Sequence, residues 1–179
     1  MKKRVLTVLV AVVLIASVAM PMTMLAAQPV PVYAVAQVAV TQLNPSDIVP
    51  AGASGRVRIL AEQLQGQIVY GPAELYGAGL FLQQKSNELF SSAILPLAVA
   101  LDGTAIGDFQ MVGGSGEIAH GTYHLSVSNA PGCQVYDQGH WSTTGGSQLK
   151  GRGTVTACLN WDPYFGTFVG TVQFTGSLN

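Results

Sequence analysis

Hydrophobic and polar residues alternate in short runs through much of the second half of the chain. Residues 122–127 and 167–175 show this period of two, which is the pattern of β-strands with one buried face. Glycine, proline, asparagine and aspartate separate the runs at intervals of about 8 to 15 residues. The pattern predicts an all-β fold, a single antiparallel β-sandwich or barrel domain, over residues 55–179.

One segment near the start of this domain departs from the alternation. Val57, Leu60 and Leu64, together with Ala61, are spaced as on one face of a helix. Gly66 follows the run at a position where glycine often ends a helix. We therefore expect one short helix near residues 55–65.

The N-terminus has the features of a secretory signal. A basic start, Lys2-Lys3-Arg4, precedes an uncharged apolar run over residues 5–27, and small residues follow. We expect a signal peptide at residues 1–27, with cleavage as late as residue 36 if Ala34-Val35-Ala36 is the site. The alternative is an uncleaved membrane anchor, because the run is long enough to span a bilayer. This segment is the only part that we expect to contact a membrane.

The segment from residue 28 to 54 is apolar and predicted to be extended, as a strand or a linker. Valines and alanines occupy every second position from 30 to 40, and the valines are Val30, Val32, Val38 and Val40. A hydrophobic strand needs a partner, which is either an edge of its own domain or an edge of a neighbouring copy. In the second case these valines form a donor strand, and head-to-tail association builds a fibre.

The two cysteines, Cys133 and Cys158, both lie in the part of the chain that we expect to be exported. A two-residue turn at Gly145-Gly146 pairs residues whose numbers sum to 291, which places the cysteines opposite one another. Side chains approach closely in such a pair, so the sequence predicts a cross-strand disulfide. The same register places Asp137 and Trp141 on the solvent face.

Charged residues are scarce and unevenly placed. They make up 9% of the 179 residues, and three of the 8 lysines and arginines stand together at the N-terminus. So few basic residues exclude the usual kind of nucleic-acid binder, and a hydrophobic content of 49% excludes a disordered chain. We expect a secreted or cell-surface protein. The basic start and the lack of an N-glycosylation sequon favour a prokaryotic source.

Residues that carry chemistry are few. His120 and His124 face the same way on a predicted strand but stand about 13 Å apart, too far to share one metal ion. The run Gly113-Gly114-Ser115-Gly116-Glu117 lacks the last glycine of a nucleophile elbow. No helical pattern follows it, as a dinucleotide site requires. We therefore expect a protein that is not an enzyme and that uses no cofactor and no metal.

One predicted turn combines aromatic and polar residues. Asn160, Trp161, Asp162 and Tyr164 lie between two predicted strands. Aromatic rings stack on sugar rings, and Asn and Asp form hydrogen bonds with hydroxyl groups, so these four are the candidate ligand-binding residues. The alternative is an aromatic plug that closes one end of the domain, with Asp162 setting the turn.

The glycine turn Gly113-Gly114-Ser115-Gly116, followed by Ala119 and Gly121, resembles a turn and strand of the dirigent and allene-oxide-cyclase-like barrels. The spacing is two residues shorter than in that family, and Ile118 stands where the family has an aromatic residue. The resemblance implies a secreted or plastid eight-stranded barrel with a central cavity for an apolar ligand. It carries over no catalytic residue.

Two functions follow from these observations. The first is a non-catalytic structural or interaction domain, such as a subunit of an extracellular fibre or layer that donates its N-terminal strand. The alternative is a secreted β-barrel that binds a small apolar ligand or a glycan. The expected partners are thus a second copy of the chain, a surface partner, a glycan or a small apolar molecule.

Overall fold

The computed structural model describes residues 29–52 and 54–178, so the predicted signal peptide at residues 1–27 lies outside the described part. Within that part the strands are β1 (Val30–Gln42), β2 (Ile48–Pro50), β3 (Val57–Tyr70), β4 (Gly79–Phe90), β5 (Ala100–Asp102), β6 (Thr104–Gly113), β7 (Gly116–Ser128), β8 (Val135–Thr143), β9 (Gly151–Asp162) and β10 (Thr167–Leu178). Single turns of 3-10 helix occupy Pro45–Asp47 and Leu95–Leu97. Across these same residues, no helix is long and apolar enough to cross a membrane.

The eight long strands form a closed antiparallel barrel. Each of them pairs on both edges, in the cyclic order β1, β3, β4, β6, β7, β8, β9, β10. The pairing of β3 with β4 closes the ring, and the short β2 and β5 pair with β3 and β4. The all-β prediction is confirmed, and of its two alternatives the barrel is the observed form.

The N-terminal strand is part of this barrel. β1 pairs with β10 on one edge and with β3 on the other. Val32, Val38 and Val40 are buried in the core, whereas Val30 is exposed. Of the alternatives for this segment, pairing within the chain's own domain is the one observed. Because both edges of β1 are occupied, the strand is neither a linker nor free for donation in this structure.

The predicted short helix is wrong, because its residues belong to β3. A β-bulge interrupts the pairing of β3 with β4 between Ile59 and Ala61. The inward-facing positions are Val57 and Ile59 before the bulge, and they change parity to include Leu64 after it. This change of parity gives the apolar residues a spacing that resembles a helix.

The predicted disulfide between Cys133 and Cys158 is confirmed, and their Cα atoms are 5.4 Å apart. The register from which it was predicted is wrong. Residue numbers paired between β8 and β9 sum to 294, as in Tyr136 opposite Cys158, and Cys133 lies in the loop before β8. The turn around Gly145-Gly146 forms, but further residues separate it from the start of β9, so it does not set the pairing.

The shift of register reverses the two faces of β8. Asp137 and Trp141, which the predicted register placed in solvent, are buried inside the barrel. Trp141 packs edge to face on Phe109 and Phe174, with ring centroids 6.1 and 5.9 Å away. The predicted and observed sums, 291 and 294, differ by an odd number. Because strand side chains alternate with a period of two, such a shift exchanges the inward and outward faces of β8. The predicted faces of β9 are correct, since Val155 is buried.

The loops after β1, β4, β7 and β9 gather at one end of the barrel, which we call the disulfide end. Gln134 fastens the segment 91–99 here, because its side-chain nitrogen donates to the carbonyl oxygens of Pro96 and Ala98, each at 3.0 Å. The side-chain oxygen of Gln134 accepts a hydrogen bond from Trp161 N at 2.5 Å. The disulfide loop therefore ties the β4–β5 connection to β9.

Candidate functional site

The aromatic turn predicted to bind a ligand lies at the disulfide end, between β9 and β10. Asp162 Oδ1 accepts hydrogen bonds from the backbone N–H groups of Tyr164 (2.8 Å) and Phe165 (3.2 Å), so this side chain builds the turn. Trp161 is half-buried and packs edge to face on Phe168, with ring centroids 5.5 Å apart. These two residues are therefore engaged in forming the end of the barrel.

Asn160 is engaged in the fold as well. Its Nδ2 donates to Gly132 O and its Oδ1 accepts from Gln134 N, both at 2.9 Å. These bonds tie the aromatic turn to the disulfide loop. Asn160 and Tyr164 are both exposed, but Asn160 uses its amide group for these bonds, whereas 89% of the surface of Tyr164 is open to solvent.

A different set of polar residues forms a groove on the outer wall, where β3, β4, β6 and β7 are neighbours. Their outward side chains stand in two rows across the strands, Gln65–Phe81–Gln110–His120 and Gln63–Gln83–Asp108–Thr122. The groove measures about 350 Å³, and we call it the amide groove. Its polar lining and its one exposed ring are Gln63, Gln65, Gln83, Asp108, Gln110, His120, Thr144 and Phe81.

Strand alternation explains why these residues face outward. On β4, Leu82 points into the core, and its neighbours Phe81 and Gln83 point out. On β3 the bulge sets the parity, and it thereby places Gln63 and Gln65 on the same wall. The amide groove therefore depends on this bulge, which the sequence pattern did not predict.

Glu117 organises one side of the amide groove. Gln110 Nε2 donates to Glu117 Oε2 at 2.5 Å, and His120 Nδ1 lies 2.5 Å from Glu117 Oε1. The hydrogen bond from Gln110, followed by that from His120, lowers the pKa of the Glu117 carboxyl below its usual value. His120 Nε2 lies 3.2 Å from Gly145 O, so both ring nitrogens face oxygen acceptors.

The amide groove is suited to hydroxyl groups. Each glutamine side chain presents a donor and an acceptor in one plane, so neighbouring glutamines match adjacent hydroxyls of a polyol. Phe81, with 42% of its surface exposed, offers an apolar face among them. No lysine or arginine is among the residues that line this groove. Such a lining favours a neutral polyhydroxylated ligand.

A second unusual set of polar residues lies inside the barrel. Glu62 on β3, Glu88 on β4 and Asp137 on β8 are all buried, and Glu88 is only 1% exposed. Gln84 Nε2 donates to Glu62 Oε1, and the Tyr123 hydroxyl donates to Gln84 Oε1 at 2.8 Å. Both carboxyl oxygens of Glu88 and Oδ1 of Asp137 lack a hydrogen-bond partner. Buried carboxyls of this kind are rare unless they are paired.

Burial keeps these three carboxyls in their neutral form over much of the pH range. It raises the pKa of Glu62 from 4.5 to about 7, with a further contribution from the charge of Asp137. Burial also raises the pKa of Asp137 from 3.8 to about 7 and that of Glu88 well above 4.5. The enclosed cavity between Glu62, Tyr123 and Asp137 measures about 20 Å³, which is room for about one water molecule.

Neither polar set was among the residues predicted from the sequence. The sequence pattern could have identified Glu88 as an inward-facing acid, since Glu88 lies two residues before the buried Phe90 and therefore on the same face of β4. Asp137 was assigned to the wrong face by the register error. The glutamines of the amide groove occupy outward positions in β3, β4 and β6, but only the order of strands around the barrel brings them together.

Metal binding has no support in the part of the chain that the structure describes. Among these residues, no three histidine, cysteine, aspartate or glutamate side chains gather closely enough to hold a metal ion. Searches against models of known protein families, curated proteins and solved structures find no match for this chain.

Proposed function

We propose that this chain is an exported, non-catalytic β-barrel domain that binds a glycan in the amide groove of its outer wall. The observation that carries the proposal is the grouping of four glutamines and Asp108 around the exposed ring of Phe81. Glutamine side chains hydrogen-bond to sugar hydroxyls, and an aromatic ring stacks on the C–H face of a sugar. A volume of about 350 Å³ is in the range of small-ligand sites.

Export is supported by two independent features. The basic and apolar start of the sequence has the form of a secretory signal. The bond between Cys133 and Cys158 is of a kind that persists in oxidising compartments. An extracellular location also fits a glycan ligand, because polysaccharides are abundant on cell surfaces and in their surroundings.

The sequence suggested two other places for a ligand, the aromatic turn and the interior of the barrel. The aromatic turn uses Asp162 and Asn160 for its own hydrogen bonds, and Trp161 for packing. The interior of the barrel has no room for a sugar, since Phe109, Trp141 and Phe174 pack together within it and the cavity beside Glu62 measures about 20 Å³. The outer wall offers the ligand a site that needs no rearrangement of the core.

Binding of neutral polysaccharides tests this proposal directly. Soluble xylan, dextran and β-glucan are offered to the exported protein in affinity electrophoresis, and insoluble cellulose and chitin in pull-down assays. We expect at least one to bind, and we expect Phe81→Ala and Gln83→Ala each to weaken that binding at least tenfold. Gln138→Ala is the matched control, because Gln138 is exposed on β8 outside the groove.

Two results would contradict the proposal. If neither these polysaccharides nor an anionic one such as dextran sulfate binds, or if Gln138→Ala weakens binding as much as Phe81→Ala, the amide groove is not a glycan site. The melting temperature of each variant separates a binding defect from misfolding. Since Phe81 and Gln83 face outward, we expect their replacement to leave the core intact.

A further inference from the structure

A second depression lies on the outer wall of the barrel, on the side formed by β6 to β10. It measures about 670 Å³ and adjoins the amide groove. Two rows of outward side chains cross it, Ile106–His124–His140–Thr154 and Thr122–Ser142–Arg152–Ser177. We call it the basic depression, because its charged and titratable surface side chains are Arg152, His124 and His140.

Two glycines contribute backbone to the lining of this depression. Gly153 and Gly176 lie side by side on β9 and β10 and are part of its lining. A Cβ atom at Gly153 would overlap the carbonyl oxygen of Thr175, and one at Gly176 would overlap that of Arg152. Both glycines have the parity of buried residues, Val155 on β9 and Phe174 on β10, so the strands approach closely here in a way that only glycine permits.

The lining of the basic depression is suited to an oxyanion. An arginine and two imidazoles converge on it from three neighbouring strands, β7, β8 and β9. The hydroxyl-bearing side chains around them are Thr122, Ser142, Thr154 and Ser177. No aspartate or glutamate lines it. Arginine and hydroxyl donors are the usual partners of sulfate, phosphate and carboxylate oxygens.

The positive charge of the basic depression contrasts with the excess of acidic residues in the rest of the exported chain. Apart from the three basic residues at the N-terminus, the sequence has 5 lysines and arginines against 9 aspartates and glutamates. The nearest carboxylate on a neighbouring strand is Asp108, which lies opposite Thr122 and belongs to the amide groove. A positive depression in a chain with an acidic excess selects for a ligand with localised negative charge.

The two sites share a border. Asp108 of the amide groove pairs with Thr122 of the basic depression, and His120 and His124 lie on the same side of β7. A ligand with several linked sugars can therefore occupy both. We propose that the basic depression binds the sulfate or carboxylate groups of an acidic polysaccharide whose sugar backbone lies in the amide groove. This inference rests on the proposed function, because the amide groove supplies the backbone contacts.

Comparison of three polysaccharides tests the inference. The probes are dextran, dextran sulfate and polygalacturonate, which provide a neutral backbone, sulfate esters and carboxylates. We expect binding of at least one anionic probe to the exported protein, and we expect Arg152→Gln to weaken it at least tenfold. Arg56→Gln is the matched control, because it removes the same charge from an exposed residue outside the depression. Its effect should stay below twofold.

The imidazoles provide a second readout. Histidine carries charge only when protonated, and its protonation changes in the range between pH 5 and 8. We expect wild-type protein to bind the anionic probe more tightly at pH 5.5 than at pH 8, by about tenfold. The double variant His124→Gln/His140→Gln should lose this pH dependence. The other charged groups are Arg152, Lys85 opposite Ile106 and Asp108 opposite Thr122. They are the same in both proteins, so only the imidazoles can account for a difference between them.

The outcomes separate this inference from the proposed function. If Arg152→Gln and Arg56→Gln weaken anionic binding equally, or if no anionic probe binds, the oxyanion site is refuted, whatever the neutral probes do. If Arg152→Gln abolishes anionic binding while Phe81→Ala changes nothing, the oxyanion site stands and the amide groove is refuted as the backbone site. If both variants weaken binding of the same anionic probe, both assignments stand.

Discussion

The buried carboxyls predict an unusual dependence of stability on pH. Below about pH 3, Glu62, Glu88 and Asp137 are protonated in both the folded and the unfolded chain. As the pH rises from about 4 to 7, the unfolded chain loses these protons while the folded barrel retains them, because their pKa values are raised in the barrel. The free energy of unfolding therefore falls over this window, and it continues to fall at higher pH for as long as Glu88 keeps its proton in the barrel.

The size of the loss follows from the pKa shifts. Each pKa unit corresponds to about 1.4 kcal/mol, so the rise of Glu62 from 4.5 to about 7 represents on the order of 3 kcal/mol, and that of Asp137 from 3.8 is similar. Part of the Glu62 shift comes from the charge of Asp137, so the two losses overlap. We expect roughly 3 to 6 kcal/mol less stability at pH 8 than at pH 4, a large part of the total for a domain.

Urea denaturation at pH values from 4 to 8 measures this loss, with the fluorescence of Trp141 and Trp161 as the signal. Glu62→Gln removes one titrating group and keeps an oxygen that accepts from Gln84. We expect this variant to be more stable than the wild type at pH 8, by about 3 kcal/mol, and nearly equal to it at pH 4. Glu74→Gln, at an exposed position, is the control and should follow the wild-type curve.

A barrel that is as stable at pH 8 as at pH 4 would refute this reasoning. It would mean that the interior carboxyls are solvated or paired in solution in a way that the structure does not show. The lowered pKa of Glu117 acts in the opposite direction, since it adds stability that is lost as the pH falls. That carboxyl is exposed, so solvent screens its contribution, and the interior groups decide the sign.

Two further predictions concern the fold itself. Val155→Asp should prevent folding or secretion, because it buries an unpaired charge in the core. Thr154→Asp, at an exposed position, should change the melting temperature by only a few degrees. Equal damage at both sites would show that β9 has another register. The native protein should resist alkylation until reductant is added, and two reactive thiols in the native protein would contradict the disulfide. The double variant Cys133→Ser/Cys158→Ser should lose on the order of 3 kcal/mol of stability in urea, since the bond closes a loop with a sequence separation of 25.

Local sequence patterns predicted the all-β fold because it depends on features within short stretches, whereas the disulfide was predicted correctly from the two cysteines of a chain expected to be exported, although the register proposed for it was wrong. The alternation of apolar and polar residues reports one buried face, whatever the neighbouring strand is. The errors arose where one residue changes the parity. The bulge between Ile59 and Ala61 disguised β3 as a helix, and the residues after Gly145-Gly146 shifted β8 against β9.

The two candidate sites are assembled by contacts between strands that are distant in the sequence. Gln65 lies beside Phe81, and Phe81 beside Gln110, because β3, β4 and β6 are neighbours around the barrel. Likewise, Arg152 meets Ser177 on the adjacent β10. Alternation showed which side chains face outward, but the order of the strands decides which of them share a groove.

The pairing of β1 with β10 sets the order of events during folding. Val30 lies opposite Leu178, so the first strand of the barrel cannot complete its ladder until the last strand is available. While the chain emerges, the valine-rich edge of β1 is open to pairing with other chains, and such an edge promotes aggregation. Ring closure between partners so distant in sequence is also slow. The edge of β1 therefore stays open to such pairing until β10 is available to complete the barrel.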